Sequence, residues 1–195
     1  MDIVNSSKNL SDLVQEWSSN LNEISVFNEM VKKIIFTLEA GNKIIFFGNG
    51  GSAAEATHLA GEFLGKCEID VGPYPAISLT DSSTILTAIS NDWEFEEIFS
   101  RQIKGLGQKG DFAIGLTTSG KSQNILKGLK AAKNMGIKTA LWTSILFEND
   151  SSFIDYLIKA PSSRTPRIQE LHLFIGHALC DEVEKTLLGK HKLKN

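Results

Sequence analysis

The chain has 195 residues, 42% hydrophobic and 22% charged, with a formal net charge of −3. This is the make-up of an ordinary soluble globular protein, and the length suits one domain, because single cores usually stop growing at about 250–300 residues. Dispersed basic residues speak against nucleic-acid binding, and no run reaches the roughly 18 apolar residues of a membrane span. The start, MDIVN, lacks the basic and apolar regions of a secretion signal, and Cys67 and Cys180 are not in a C-x-x-C arrangement, so they read as reduced thiols in a cytoplasmic protein.

Residues 1–41 read as a helical extension. Leu10, Leu13, Trp17, Leu21 and Ile24 recur at three- and four-residue steps, Met30, Val31, Ile34, Ile35 and Leu38 repeat the pattern, and Gly41 closes the second helix. Residues 42–195 then alternate short apolar runs with helical segments. The strands expected are Lys43–Phe47, Ala76–Leu79, Phe112–Leu116, Thr139–Trp142 and Tyr156–Ile158. The helices expected are Ser52–Phe63, Ser83–Ile89, Ser122–Met135 and Arg167–Leu188. Strands without polar alternation are buried on both faces, which predicts an α/β fold with a parallel sheet between helical layers. In such sheets ligands sit beyond the carboxyl ends of the strands.

Two loops stand at those ends. Gly48-Asn49-Gly50-Gly51-Ser52 follows the first strand and opens a helix, whose free N–H groups and dipole favour an anion. Thr117-Thr118-Ser119-Gly120-Lys121-Ser122 lies between a later strand and helix and is rich in hydroxyl donors. Residues 115–122, GLTTSGKS, also satisfy the nucleotide-binding pattern G-x-x-x-x-G-K-[ST]. Against a nucleotide, the next strand ends in Thr143-Ser144 and offers no aspartate for Mg²⁺. Two polar loops at neighbouring strand ends fit one small phosphorylated ligand better, with no nucleotide.

Downstream of the first loop, His58 and Glu62 are four residues apart on one helix and share a face, as an acid–base pair would require. The final helix carries Gln169, His172 and His177, with Thr165 and Pro166 suited to its start. Gln169 and His177 are about 12 Å apart in helical rise, so they could serve one site only through extended side chains or from different subunits.

GNGGSA, the stretch PAISLT-D, Ser90-Asn91-Asp92, FSRQ at Phe99–Gln102, TTSGKS and RIQELH at Arg167–His172, in this order, resemble the sugar isomerase (SIS) domain family over nearly the whole chain. The resemblance is strongest to the branch acting on sedoheptulose 7-phosphate. It implies a three-layer α/β sandwich with a flavodoxin-like sheet, a homotetramer with active sites near subunit interfaces, and conversion of that ketose to D-glycero-D-manno-heptose 7-phosphate for lipopolysaccharide or related glycans. It also implies substrate contacts from Asn49, Gly50, Gly51, Ser52, Glu62, Asn91, Asp92, Thr117, Thr118, Ser119, Ser122 and Gln169, and zinc binding by His58, Glu62, Gln169 and His177. Glu62 is assigned as the base and His177 as the acid, while His172 is expected to be structural. An amide oxygen is a weak zinc ligand, which makes this an uncommon set.

Some positions depart from the family pattern. Thr117 stands where many relatives have serine, and Pro166 where some carry an aspartate. Lys66-Cys67-Glu68 replaces an Arg-Tyr pairing, and residues 144–150 lack a glycine-rich turn. A SIS-domain regulatory protein of the replication-initiator-associating type, or an isomerase of another phosphosugar, remain the alternatives.

Overall fold

The structure is a computed structural model, and residues 2–70, 72–148 and 152–192 are described. Two helices come first, α1 (Ile3–Ser19) and α2 (Leu21–Glu39). They are followed by β1 (Ile44–Gly48), α3 (Gly51–Leu64), β2 (Ala76–Ser78), α4 (Ser83–Asp92), a short 3-10 turn (Phe95–Glu97), α5 (Ile98–Leu106), β3 (Phe112–Leu116), α6 (Gln123–Asn134), β4 (Lys138–Ser144), β5 (Tyr156–Ala160) and α7 (Thr165–Lys192). The five strands form one parallel sheet in the order β2-β1-β3-β4-β5. This is the flavodoxin-like arrangement, and its order reverses between β1 and β3.

Alternation along the strands sorts the side chains into two cores. Ile44 and Phe46 face one way, into a cluster with residues of α1, α2, α3 and α7. Ile45 and Phe47 face the other, into a cluster with residues of α4, α5 and α6. Both faces are therefore covered, which explains why β1 and β3 are apolar at every position and fully buried. The N-terminal helices belong to the first core: Leu13, Trp17, Phe27 and Met30 are buried in it.

α3 and α7 pack side by side and run in the same direction: Gly51 meets Gln169, Leu59 meets Gly176, and Cys67 meets Glu184. A Cβ on Gly176 would stand 2.4 Å from Leu59 Cδ2, so the missing side chain is what admits Leu59. Leu171, Ile175, Leu179, Val183 and Leu187 anchor α7 in the first core, each contributing on the order of 1.5–3 kcal/mol by burial.

Candidate active site

The switch point is flanked by the two loops singled out in the sequence. Gly50 takes φ 56°, a conformation open to glycine, and caps α3 without any side-chain hydrogen bond. Ser122 caps α6, also without a side-chain bond to the helix. By contrast α1, α2 and α4 are capped by the side chains of Asp2, Asn20 and Ser82. At the switch point neither cap residue spends a side chain on its helix, although in α6 the Ile125 N–H is taken by Asn124 Oδ1 at 2.9 Å; the first turn of α3 has no side-chain cap, as an anion site requires.

The loops are tied to each other. Asn49 Nδ2 donates to Asn124 Oδ1 at 2.9 Å, and Asn124 Nδ2 returns a bond to Asn49 Oδ1 at 2.8 Å. The hydroxyls of Thr117 and Ser122 are 3.0 Å apart, and Ser119 Oγ accepts from the Lys121 N–H at 3.2 Å. Ser144 Oγ donates to the Thr118 carbonyl at 2.8 Å. Gly120 has φ 67°, and a Cβ there would lie 2.5 Å from the ring of buried Phe147. The segment after β4 therefore buttresses the second loop, and a cleft of about 370 Å³ lies between them. Asn149 and Asp150, part of the stretch expected to bear on specificity, lie outside the described residues.

Further along α3, His58, Glu62 and His177 converge, with one donor atom from each lying within 4.8 Å of the others. His58 Nε2 is 2.7 Å from His177 Nε2 and 3.4 Å from Glu62 Oε1. Donors around tetrahedral zinc stand about 3.3 Å apart, given Zn–N distances of about 2.0–2.1 Å. Among the described residues these three side chains therefore fit a zinc ion after a slight opening. Gln169 is placed differently. Its amide lies over Gly51, beside the first loop, roughly 10 Å in helical rise before His58. Glu62 and His177 also line a cleft of about 480 Å³ between α3 and α7, together with Cys67, Glu68, Phe174 and Asp181.

Asn91 and Asp92 form the exposed last turn of α4, and Asn91 Nδ2 donates to Asp92 Oδ1 at 2.9 Å. His172 is fully buried and points at the sheet, its Nε2 3.0 Å from the Thr143 carbonyl. Burial pushes its pKa down to about 4, so the ring is neutral.

Sequence reasoning missed Glu55. It follows Ser52 by three residues, is 4% exposed, and has no hydrogen-bond partner at either carboxylate oxygen. Burial raises its pKa to about 7, against a smaller opposing effect of the nearby Ser52 hydroxyl. A carboxyl three residues beyond Ser52 on the buried face of that helix was the available signal. Sequence reasoning also missed the hydroxyl cluster beyond β2, where Thr57 Oγ1 donates to Asp81 Oδ1 at 2.6 Å and lies within reach of Ser78 and Thr80. The cysteines are free, as the sequence suggested, but they are neighbours in space.

The architecture is that of a three-layer α/β domain with its ligand loops at the switch point. Residues 8–144 match the SIS domain model, and the chain belongs to that family. It is 44% identical over 175 residues to the phosphoheptose isomerase of Thermodesulfovibrio yellowstonii, covering 88% of this chain and 87% of that protein. It is 48% identical over 158 residues to the phosphoheptose isomerase of Paramagnetospirillum magneticum, covering 81% and 82% of the two chains. Among solved structures, the phosphoheptose isomerase of Neisseria gonorrhoeae superposes with a TM-score of 0.84 at 31% identity, covering 94% of this chain and 97% of that one.

Proposed function

We propose that the chain is an aldose–ketose isomerase that converts sedoheptulose 7-phosphate to D-glycero-D-manno-heptose 7-phosphate through a cis-enediol. The observation that carries this reading is that α3 alone bears the phosphate loop at its N-terminus and His58 and Glu62 about two and three turns on. A sugar chain with phosphate at one end and carbonyl at the other can lie along such an element. The relatives named phosphoheptose isomerase, at 44% and 48% identity, support the same choice of substrate.

In this reading Asn49, Gly50, Gly51, Ser52, Thr117, Thr118, Ser119 and Ser122 hold the phosphate end, with Gln169 beside them. Asn91 and Asp92 bind sugar hydroxyls. The Glu62 carboxylate takes a proton from C1 and returns it to C2, while His177 protonates the carbonyl oxygen and later accepts the hydroxyl proton. His58, Glu62 and His177 would also suit a zinc ion, which would supply charge to polarise the substrate oxygens in place of the His177 proton. Gln169 could join that set only by leaving Gly51. The exposed apolar side chains of Leu21, Phe36 and Trp93 support a homotetramer. Among the described residues no helix is long and apolar enough to cross a membrane. In this reading the enzyme works in the cytoplasm and supplies heptose for lipopolysaccharide or a related glycan.

The deciding experiment follows sedoheptulose 7-phosphate by proton NMR, beside pentulose and hexulose phosphates, with zinc or with chelator. Conversion of the heptulose phosphate alone is the expected result. Failure to isomerise any of these substrates would sink the reading.

A further inference from the structure

Cys67 follows α3, and Cys180 lies on α7. The Cys67 N–H donates to Glu184 Oε1 at 2.8 Å, and the N–H groups of Glu68 and Ile69 donate to Oε2 at 3.0 and 2.8 Å. Glu184 is one turn beyond Cys180 on α7. Helical side chains lean toward the helix N-terminus, so its carboxylate covers the turn that Cys180 occupies. This three-bond clamp holds Cys67 against α7 about one turn from Cys180, and Cys67 packs on the core cluster that contains Cys180. The Cys67 thiol accordingly interacts with the Cys180 thiol and with the Glu62 carboxylate. Cys180 is buried, whereas Cys67 lines the cleft shared by Glu62 and His177 and can be reached through it.

We propose that Cys67 and Cys180 form an oxidative modification site, closing to a disulfide in exchange with a small-molecule disulfide of the glutathione class and so withdrawing the Cys67 thiol from Glu62. In the first step the Cys67 thiolate attacks one sulfur of the small disulfide, forming a mixed disulfide and releasing one glutathione thiolate. In the second, the Cys180 sulfur loses its proton and attacks Cys67 Sγ, forming the protein disulfide and releasing the second glutathione. The two thiol protons end on the two glutathiones, and the two electrons have reduced the small disulfide. Cys180 is buried and Cys67 is reached through the cleft, so closure takes on the order of hours rather than seconds.

Closing the bond draws Cys67 off the wall of the cleft that Glu62 and His177 line and so reshapes the surroundings of Glu62, and turnover should fall. This effect on activity rests on the isomerase reading; the bond itself does not. The test incubates the full chain with oxidised glutathione at about pH 8.5, where thiolate is more abundant. Free thiols are then trapped with N-ethylmaleimide, and intact mass, a peptide map and turnover are measured. The expected result is a loss of about 2 Da with the Cys67 and Cys180 peptides joined, and a drop in turnover of at least tenfold that dithiothreitol reverses. A persistent glutathione adduct on the wild-type chain, or two alkylated thiols, would overturn the site. A formed disulfide with unchanged turnover would overturn the withdrawal from Glu62. Reduced protein inactive on every phosphosugar would instead sink the isomerase reading, and the mass measurement would still decide the bond. Cys180→Ala serves as the second variant: reduced, it should turn over within about twofold of wild type, and with oxidised glutathione it should stop at the Cys67 adduct. Absence of any adduct there would show that Cys67 cannot be attacked and overturn the proposal.

Discussion

Nε2 of His58 and Nε2 of His177 stand 2.7 Å apart, although 119 residues separate them in sequence. At that distance one nitrogen donates and the other accepts, so the facing pair shares a proton. A zinc ion in the same place needs both nitrogens as acceptors, so its uptake must shift that proton to the other nitrogen of the ring. Calorimetric titration with zinc measures the affinity of the site. His58→Ala and His177→Ala should each weaken zinc binding by about 100-fold or more. Unchanged affinity in both variants would place the ion elsewhere.

Glu62→Gln and His177→Ala should lower turnover by about 10²–10⁴-fold, the usual contribution of a positioned acid or base. Circular dichroism and gel filtration should match the wild type, since Glu62 and His177 are not buried in either core. Near-normal turnover in either variant would remove that residue from its role.

Glu55 sets a pH dependence. Its folded-state pKa, about 7, lies above the ordinary 4.5, so the native state holds the proton more tightly than the unfolded chain. Its contribution to stability is full below about pH 4.5 and is lost as pH rises toward 7. His172 works in the opposite direction. Its pKa is lowered from 6.5 to about 4, so its contribution is present above about 6.5 and lost as pH falls toward 4. The two windows overlap and partly cancel in the wild type, which makes the variant the informative sample. Glu55→Gln should leave stability near wild type at pH 4.5 and raise it at pH 8 by on the order of 3 kcal/mol. Denaturant titrations at both pH values measure this, and an equal effect at the two would refute the assignment.

Gly120→Ala should damage substrate binding more than folding. The new Cβ would sit 2.5 Å from Phe147 and would require φ 67° of a residue that avoids it. Because Phe147 and Ser144 support the second loop, a rise in KM of tenfold or more, with far-UV circular dichroism unchanged, is the expected outcome. Unaltered KM would show that the loop's shape is immaterial to the ligand.

Gly176→Ala would place a Cβ 2.4 Å from Leu59 Cδ2 in a fully packed region. Overpacking of this kind costs about 1–3 kcal/mol. Here it should also part α3 from α7, and with them His58 from His177. Zinc affinity and turnover should fall together while helix content is kept. Loss of stability without loss of either activity would show that the helices adjust elsewhere.

The sheet was readable in the sequence because its central strands are buried on both sides. Five successive apolar residues mark Phe112–Leu116 without ambiguity. β4 is longer than expected because Lys138 and Thr143–Ser144 extend it with polar side chains, the first retained by pairing to β3 and the other two by pairing to β5. α5 escaped notice because it is nine residues long, follows a 3-10 turn and has no side-chain cap. The His58–Glu62 pair follows from helical spacing alone. The convergence of His177 on that pair, the placement of Gln169 over Gly51 and the pairing of Asn49 with Asn124 depend on how distant elements pack. Local pattern carries none of that information.

The parallel seating of α7 on α3 has a kinetic side. The β1–α3 half of the site is local and can form early, but His177 reaches His58 only when a segment more than a hundred residues away has docked. Contacts of such long range pay their loop-closure entropy late in folding. On dilution from denaturant, helical signal should return before turnover, and that lag would time the docking of α7.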